Sequence, residues 1–334
     1  MPRRTAPASG YGANVPHDEP FARWDASGWV VEDEEPGGAD PKLWLRDADG
    51  QRWLFKPVTV TSNGNRQGED WSEKAAAEIA GHLGVPCARV ELASRGGVEG
   101  SLSLNVRPRN CDMHSGATFL SAMGAPDFTP ARQLLDNRDP RAKRRPGHSL
   151  TNIRASLVEF GPPSDLLASE GLDAFDVFAG YLLLDALIAN RDRHDENWSV
   201  LVPTAGAGAG RLAPSYDQAG GLAFNLTDEK RHVLLQQGRP AVEAYAEKGT
   251  AWRFESKPGA VASLVRHASD ALELASPAGR SHWITRFEAL RQDGFDSILT
   301  RLDGMSDLER RFASDLLRIN TERLRDECHD RDWL

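Results

Sequence analysis

Residues 187–201 read Leu-Ile-Ala-Asn-Arg-Asp-Arg-His-Asp-Glu-Asn-Trp-Ser-Val-Leu. The first residues continue an apolar helix that we expect to end near Asn190, and an apolar strand is predicted to begin at Trp198. A run of charged and polar side chains lies between them. A polar loop held by a rigid helix and strand is a common way for a fold to present reactive groups. We therefore expect this loop to lie at the functional centre of the molecule.

The helix before the loop is predicted to be buried at the centre of a helical domain. Residues 173–189 carry apolar side chains on nearly every face, as a buried helix does. Asp173 follows Leu172, which is the arrangement of a helix cap with a hydrophobic staple. Such a helix would hold the loop at its C-terminal end still.

An acidic residue further along the chain is predicted to return to the loop through a hairpin. Residues 203–211 are rich in glycine and alanine, and an extended segment then reaches Asp217, just before Gly220 and Gly221. This pattern would bring Asp217 towards Asn197. The alternative is that Asp217 is an ordinary turn residue, which is the commoner role of an aspartate before glycines.

The N-terminal half has the pattern of a small sheet. Short strands are predicted at residues 29–32, 42–46, 51–57, 88–93 and 101–106. In the third of these strands Trp53 and Phe55 share one face, so Lys56 lies on the other face, at the end of the strand. Lys56 is either a functional cation or an edge lysine that discourages aggregation.

One helix is predicted inside this region, over residues 71–83, with a glycine and a proline just after it. Glu73 lies on or beside the apolar stripe of the helix. A carboxylate on the core side needs a cation, and Lys56 is the candidate. The alternative is a capping box in which Asp70 caps the helix and Glu73 reaches back to it.

Together the elements predict an α+β fold with two lobes. Residues 23–112 would form a lobe with a small antiparallel sheet and one helix, and residues 113–334 a larger, mainly helical lobe that contains the polar loop. Residues 1–22 are rich in Ala, Gly and Pro and are predicted to be a disordered tail.

Composition excludes several classes of protein. The net charge of −9 argues against a dedicated nucleic-acid binder, because phosphate contacts need a positive surface. The sequence contains no run of eighteen apolar residues, which is about the length that a membrane-spanning helix needs. The three cysteines, Cys87, Cys111 and Cys328, are far apart and odd in number, which is typical of reduced thiols in the cytoplasm. We therefore expect a cytoplasmic protein that binds neither membranes nor nucleic acid.

Five side chains occur in an order that suits phosphoryl transfer: Lys56, Glu73, Asp192, Asn197 and Asp217. That reaction needs a cation on the phosphates, metal ions, and a carboxylate that orients the attacking hydroxyl. Lys56 would contact the nucleotide phosphates and Glu73 would fix its side chain. Asn197 and Asp217 would ligate magnesium, a hard cation that prefers oxygen ligands. Asp192 precedes Asn197 by five positions, as the base precedes the metal-binding amide in kinase loops.

The loop resembles that of the HipA-like kinases. Residues 192–197, preceded by Ala-Asn, resemble the Asp-Arg-His-x-x-Asn loop of that family, which phosphoinositide kinases share. The resemblance extends to residues 53–56, 71–74, 83–86 and 216–222. Ordinary protein kinases place His-Arg before the catalytic Asp, whereas Arg193 and His194 follow Asp192 here, which favours the atypical group.

This resemblance implies an atypical protein-kinase-like fold, ATP and magnesium as cofactors, and phosphorylation of serine or threonine in a protein substrate. Within the catalytic loop itself, Arg193 and His194 would support the loop around Asp192. Some family members are toxins that phosphorylate aminoacyl-tRNA synthetases, so an antitoxin partner is a further expectation.

Two features depart from this pattern or extend it. No Gly-x-Gly-x-x-Gly loop is present, and the nearest glycine-rich turn, at residues 34–38, is acidic and would repel a triphosphate. The basic segment 139–152 is predicted to be a mobile loop, with a solvated surface loop as its simplest role. The alternatives are a regulatory segment that is phosphorylated around Ser149 or Thr151, or a binding site for an acidic partner. Family members can autophosphorylate a serine in a flexible loop, and Ser149 is the candidate here.

Two other functions stay open. The same loop could serve a lipid or small-molecule kinase, although no basic amphipathic helix for membranes is apparent. The chain could also be an inactive nucleotide-binding module, which the retention of all five side chains argues against.

Overall fold

The computed structural model describes residues 19–35, 42–134, 144–164, 166, 171–205, 208–256 and 260–334. Residues 1–18 of the predicted tail, residues 36–38 of the acidic turn and residues 139–143 of the basic segment lie outside the described residues. None of the helices in the described part is long and apolar enough to cross a membrane.

A six-stranded sheet forms the N-terminal lobe, in the order β1-β5-β6-β4-β3-β2. Its strands are β1 Arg23–Asp25, β2 Val30–Glu35, β3 Lys42–Arg46, β4 Arg52–Pro57, β5 Val90–Arg95 and β6 Val98–Leu104. The sheet is antiparallel except that β1 runs parallel to β5. Three residues are too few for the alternation that identifies a strand in a sequence, and β1 was not predicted.

The two faces of β4 have different roles. Trp53 and Phe55 are buried in a small core on one face, together with Leu45 and Leu102. Lys56 therefore points from the opposite face by the two-residue period of a strand. That face is covered by the helix α1, Glu69–Leu83, which ends at Gly84 in the left-handed conformation, φ 81°. A left-handed glycine is the usual end of a helix.

The C-terminal lobe contains nine helices within the described residues. They are α2 Gly116–Ala122, α3 Leu150–Ser156, α4 Ala174–Ile188, α5 Asp228–Gln236, α6 Arg239–Ala246, α7 Leu264–Leu274, α8 Pro277–Glu288, α9 Gln292–Thr300 and α10 Asp307–Asp330. A second sheet has the order β7-β8-β9, from Cys111–Ser115, Ser199–Pro203 and Arg211–Leu212. Strand β7 and helix α2 occupy a stretch in which no strand or helix was predicted from the sequence, and the domain boundary near residue 112 stays a prediction.

Helix α4 is the central element of this lobe. All fifteen of its residues are buried. Asp173 caps it as predicted, and Asp176 completes a capping box with it. Trp71 and Ile79 of α1 belong to the same core as Phe178 of α4, so the two lobes share one apolar core. This shared core fixes α1 and the end of α4 relative to each other.

Candidate active site

Lys56 lies between two carboxylates that come from different parts of the chain. Its Nζ atom is 3.0 Å from Oε1 and 3.3 Å from Oε2 of Glu73, and 2.7 Å from Oδ1 of Asp217. The Lys56 side chain is 11% exposed, Glu73 1% and Asp217 30%. Ser101 of β6 donates its hydroxyl to Glu73 Oε2 at 3.2 Å. The trio is therefore closed on the side of Glu73 and open on the side of Asp217.

The charges within the trio stabilise one another. Burial alone would lower the pKa of Lys56, but the charges of Asp217 and Glu73 outweigh burial and raise it. Burial would raise the pKa of Asp217, and the charges of Lys56 and Lys42 reverse this and lower it. Both groups are thus charged at neutral pH.

The N-terminus of α1 directs Glu73 towards Lys56. The residue before the helix is Gly68, with no side-chain cap, so the capping-box alternative for Asp70 and Glu73 is wrong. Asp70 instead accepts bonds from Arg23 and Arg66. An ion pair explains the buried Glu73, because a carboxylate in the core needs a cation.

The polar loop begins where α4 ends, at a left-handed residue, Ala189, with φ 56°. Asp185 in the last turn of α4 accepts two bonds from Arg193, both of 2.8 Å, and a third of 2.8 Å from the Asn190 amide. Arg193 and Asp185 side chains are each 2% exposed. A buried bidentate pair of this kind fixes the loop to the rigid helix.

Arg193 also joins the loop to the segment that carries Asp217. Its Nη1 atom donates to the carbonyl of Asn197 at 2.9 Å and to that of Tyr216 at 3.5 Å. The Tyr216 hydroxyl lies 2.5 Å from Ser199 Oγ and donates to the carbonyl of Glu196 at 3.0 Å. The hairpin of β8 and β9 therefore returns Asp217 to the loop.

The carboxylate of Asp192 is half-exposed in the loop, and its backbone is held by two asparagines. The Asn197 amide nitrogen donates to its carbonyl at 2.8 Å, and Asn190 Oδ1 accepts its backbone N–H at 3.1 Å. Its side chain is 42% exposed, and His194 Nε2 lies 4.0 Å from Oδ2. Burial lowers the pKa of His194, although the nearby Asp192 acts in the opposite direction. His194 is thus predominantly neutral at pH 7 and accepts the Glu196 N–H through Nδ1.

The segment after Asp217 packs tightly on the loop and on α1. Asp217 itself is left-handed, with φ 58°. A Cβ atom on Gly220 would lie 2.9 Å from Asn190 Oδ1 and 3.3 Å from the Asp192 Cβ, so the glycine permits this close approach. The carbonyl of Gly221 accepts the Ser72 hydroxyl of α1 at 2.9 Å.

The residues present fit a magnesium ion. Within the described ranges no group of three or more His, Cys, Asp or Glu side chains could hold a metal ion. Magnesium needs only one or two protein oxygens, because it keeps waters and binds substrate phosphates. The Asn197 nitrogen is engaged with Asp192, which leaves the amide oxygen as a ligand, and Asp217 offers a carboxylate.

Ser149 does not lie in a loop. It is the N-cap of α3, and its hydroxyl accepts the Asn152 N–H at 3.2 Å. The prediction that the mobile segment extends to residue 152 is therefore wrong. That Ser149 is an autophosphorylation site stays a prediction.

Several residues of the site were not predicted. Asp185 left a signal, since it is a charged residue in a helix that is apolar on all sides. Arg253, which contacts Asp192 through Nε at 2.7 Å, left none. Lys42 and Ser101 were also not predicted as site residues, because strand pairing is what brings them close to Asp217 and Glu73.

Structural comparison places the fold among kinases. A Helicobacter pylori proinflammatory kinase, CtkA, matches with a TM-score of 0.69 and 16% identity, over 93% of this chain and 98% of that chain. HipA of the Shewanella oneidensis MR-1 toxin-antitoxin system, solved with HipB and operator DNA, matches with a TM-score of 0.50 and 14% identity, over 96% of this chain and 76% of that chain. The predicted α+β, two-lobed, kinase-like fold is thereby confirmed.

Sequence comparison identifies the family. Comparison with curated proteins gives no match. The family model described as the HipA-like C-terminal domain matches residues 35–276, a span that includes Lys56, the polar loop, Asp217 and Arg253. The resemblance seen in the loop is confirmed, and the chain belongs to the HipA-like C-terminal domain family.

Proposed function

We propose that the protein is a phosphotransferase that uses ATP and magnesium to phosphorylate serine or threonine of another protein. The observation that carries this proposal is the position of Lys56, which contacts both Glu73 and Asp217 beside a loop with Asp192 and Asn197. Phosphoryl transfer depends on positioning and on charge stabilisation, and this arrangement supplies both.

Lys56 would donate to the phosphate oxygens of the nucleotide. Glu73 is the buried partner that holds the lysine, because its other contacts are to Ser101 and not to solvent. The trio of Lys56, Glu73 and Asp217 carries one more negative than positive charge, and a bare triphosphate would meet repulsion there. This excess supports binding of the nucleotide as its magnesium complex.

Asn197 and Asp217 would hold the metal through the amide oxygen and the carboxylate. When bound, magnesium neutralises charge that develops on the phosphates. Arg193 keeps the two ligands together through the carbonyls of Asn197 and Tyr216.

Asp192 would orient the acceptor hydroxyl and accept its proton. Both Arg253 contacts go to Oδ1, which leaves Oδ2 for the hydroxyl. His194 lies 4.0 Å from Oδ2 and is neutral near pH 7, so it supports the carboxylate as an uncharged neighbour.

The proposal is tested by incubation with labelled ATP and magnesium in a cell lysate. Wild type should label protein, whereas Asp192→Ala and Asp217→Ala should not. Asp49→Ala, in an exposed turn, is the matched control and should label as wild type does. Equal labelling by all four proteins would contradict the catalytic assignment, and nucleotide binding without labelling would indicate a binding module.

Nucleotide binding is tested separately with Lys56→Ala. This variant removes the phosphate contact, so the rise in Tm that ATP and magnesium cause in the wild type should be largely lost. An unchanged rise in Tm would show that Lys56 does not contact the nucleotide.

The same likeness supports two proposals about the cellular setting. The HipA structure belongs to a toxin-antitoxin complex with HipB, which supports an antitoxin partner for this chain. The three cysteines are free thiols, which supports a cytoplasmic setting. Mass spectrometry of the purified protein would show whether Ser149 carries phosphate and whether Asp192→Ala removes it.

A further inference from the structure

The carboxylate of Asp192 is bound by an arginine from a distant segment. Arg253 contacts Oδ1 through Nε at 2.7 Å and through Nη2 at 2.5 Å. Its guanidinium lies 3.8 Å from the centre of the Trp252 ring, and its carbonyl is bound by His148 Nδ1 at 2.8 Å. Arg253 is thus held in place from three sides at the open edge of the proposed acceptor position.

A second arginine, Arg145, lies beside the same Trp252 ring, and within the described residues its side chain has no partner of opposite charge. The Arg145 guanidinium is 5.3 Å from the centre of the Trp252 ring. In the part of the chain that the structure describes, the Arg145 side chain makes no hydrogen bond and has no carboxylate within 4.0 Å, and its Nε atom is buried, whereas its carbonyl accepts the His148 N–H at 3.1 Å. Its backbone is left-handed, with φ 47°. A half-buried charge and a strained backbone both cost free energy, and such features cluster at functional sites.

The charged neighbours of Arg145 act on its pKa in opposite directions. Burial lowers the pKa of Arg145, the charge of Arg253 lowers it further, and the charges of Asp195 and Asp192 oppose this. Arg145 and Arg253, the arginine that binds Asp192, lie 5.3 and 3.8 Å from the centre of the same Trp252 ring, so the two cations are neighbours beside the proposed base.

Three other cations of the site are already paired with carboxylates. Lys56 is bound to Glu73 and Asp217, and Arg193 is buried against Asp185. Arg253 shares its charge with Asp192. The net charge of the whole chain is −9, so an unpaired arginine here is a local feature and not part of a generally basic surface.

We propose that Arg145 and Arg253 form a subsite for an anionic side chain of the acceptor protein, a carboxylate or a phosphate close in sequence to the acceptor hydroxyl. The inference rests on the proposed function and names its substrate class. A guanidinium offers paired N–H donors that match carboxylate and phosphate oxygens. An extended chain advances about 3.3–3.6 Å per residue, so the anion would lie within roughly three residues of the acceptor.

The first test identifies acceptor sites by mass spectrometry after full-length protein, magnesium and ATP labelled at the γ-phosphate are added to a lysate. Half of the lysate is first treated with phosphatase, which is then removed. We expect each labelled site, whether one or many, to have Asp, Glu or a phosphorylated residue within about three positions. A site that is still labelled in the phosphatase-treated lysate depends on a nearby carboxylate, and a site that is no longer labelled there depends on a nearby phosphate.

The second test uses the identified acceptor protein in a double-mutant cycle. Arg145→Gln should lower kcat/KM roughly tenfold or more, mainly through KM, because a charged hydrogen bond is lost. Neutralising the acceptor's anion should cause a similar loss, and the two changes together should cost little more than either alone. Arg144→Gln is the matched control, since Arg144 is exposed and, among the described residues, only its carbonyl is engaged, with the Ser256 N–H.

The outcomes separate the two proposals. Labelled sites without a nearby anion, or equal losses for Arg145→Gln and Arg144→Gln, would overturn the subsite while leaving the kinase proposal intact. Independent, multiplying losses in the cycle would also overturn it. No labelling by wild type would refute the proposed function, and the subsite with it.

Discussion

Replacing Asp185 with alanine should destabilise the protein far more than loss of an ordinary ion pair. Its carboxylate receives two Arg193 bonds and one Asn190 bond, all of 2.8 Å, and both charged side chains are 2% exposed. The substitution leaves the guanidinium buried without its counter-charge. Breaking a buried pair in this way costs about 3–5 kcal/mol. The entropy of unfolding is about 2.1 cal/mol/K per residue, so in a chain of 334 residues each kcal/mol lowers Tm by about 1.4 °C, and Tm should fall by roughly 4–7 °C.

The assay is thermal denaturation of the full chain, followed by circular dichroism. Arg239→Ala is the matched control, because it removes ion pairs to Glu243 and Glu322 from a side chain that is 49% exposed. Each exposed pair contributes about 0–1 kcal/mol, so the loss of both pairs should lower the Tm of the control by no more than about 3 °C. Asp185→Ala with Arg193→Ala should lose less than the sum of the single variants, since no lone charge remains. A loss for Asp185→Ala no larger than that of Arg239→Ala would refute the reasoning.

Two further predictions concern pH and the packing of the loop. Burial lowers the pKa of His148 to about 4 and that of His267 to about 3, whereas the pKa of a histidine in the unfolded chain is near 6.5. Between these pH values the unfolded chain binds more protons than the folded protein. The free energy of unfolding should therefore be flat above about pH 6.5 and fall as the pH decreases to about 4. Urea denaturation at pH 7 and pH 5 measures this, and His267→Phe should reduce the decrease; an identical decrease in the variant would contradict the assignment. Gly220→Ala places a Cβ atom 2.9 Å from Asn190 Oδ1 and should lower phosphotransfer with little change in Tm, whereas Gly28→Ala, with nothing within 4 Å, should have no effect. Wild-type activity in Gly220→Ala would show that the loop can move aside.

The elements that the sequence predicts well are those whose burial follows a regular period. The helix over 174–188 is apolar on all faces and carries its own cap, so its place in the core could be inferred. Lys56 could be assigned to a face because a strand alternates strictly. The acid Asp185 could also have been found, since a charge inside an apolar helix needs a partner.

Short elements were missed for a physical reason. Helix α3 has seven residues and follows a basic, proline-containing segment, whose composition is typical of a loop. Its signals are the Ser149 cap and the apolar Leu150, Ile153 and Leu157, all of which are buried. Two turns of helix give too few repeats to separate a helical period from chance.

Contacts between distant segments could not be predicted from one sequence. Arg253 follows Asp192 by 61 positions, and nothing in the residues around it indicates that its partner is the acid of the loop. The contact exists because the segment after α6 packs against His148, whose ring also accepts the Trp198 indole N–H at 3.2 Å. Trp198 follows Asn197 directly, so His148 links Arg253 to the loop through a side chain that carries no motif.

The order of motifs along the chain indicated which residues meet, but not how one lysine contacts two carboxylates. Ser72 binds the carbonyl of Gly221 at 2.9 Å, and Gly68 donates to the carbonyl of Phe224 at 3.0 Å. These bonds attach the segment after Asp217 to α1, the helix that carries Glu73. Because both acids then belong to one packed unit, any movement of α1 would shift Glu73 and Asp217 together relative to Lys56. The position of α1 therefore determines whether Lys56, Glu73 and Asp217 are aligned. The core that α1 shares with α4 holds α1 in the aligned position.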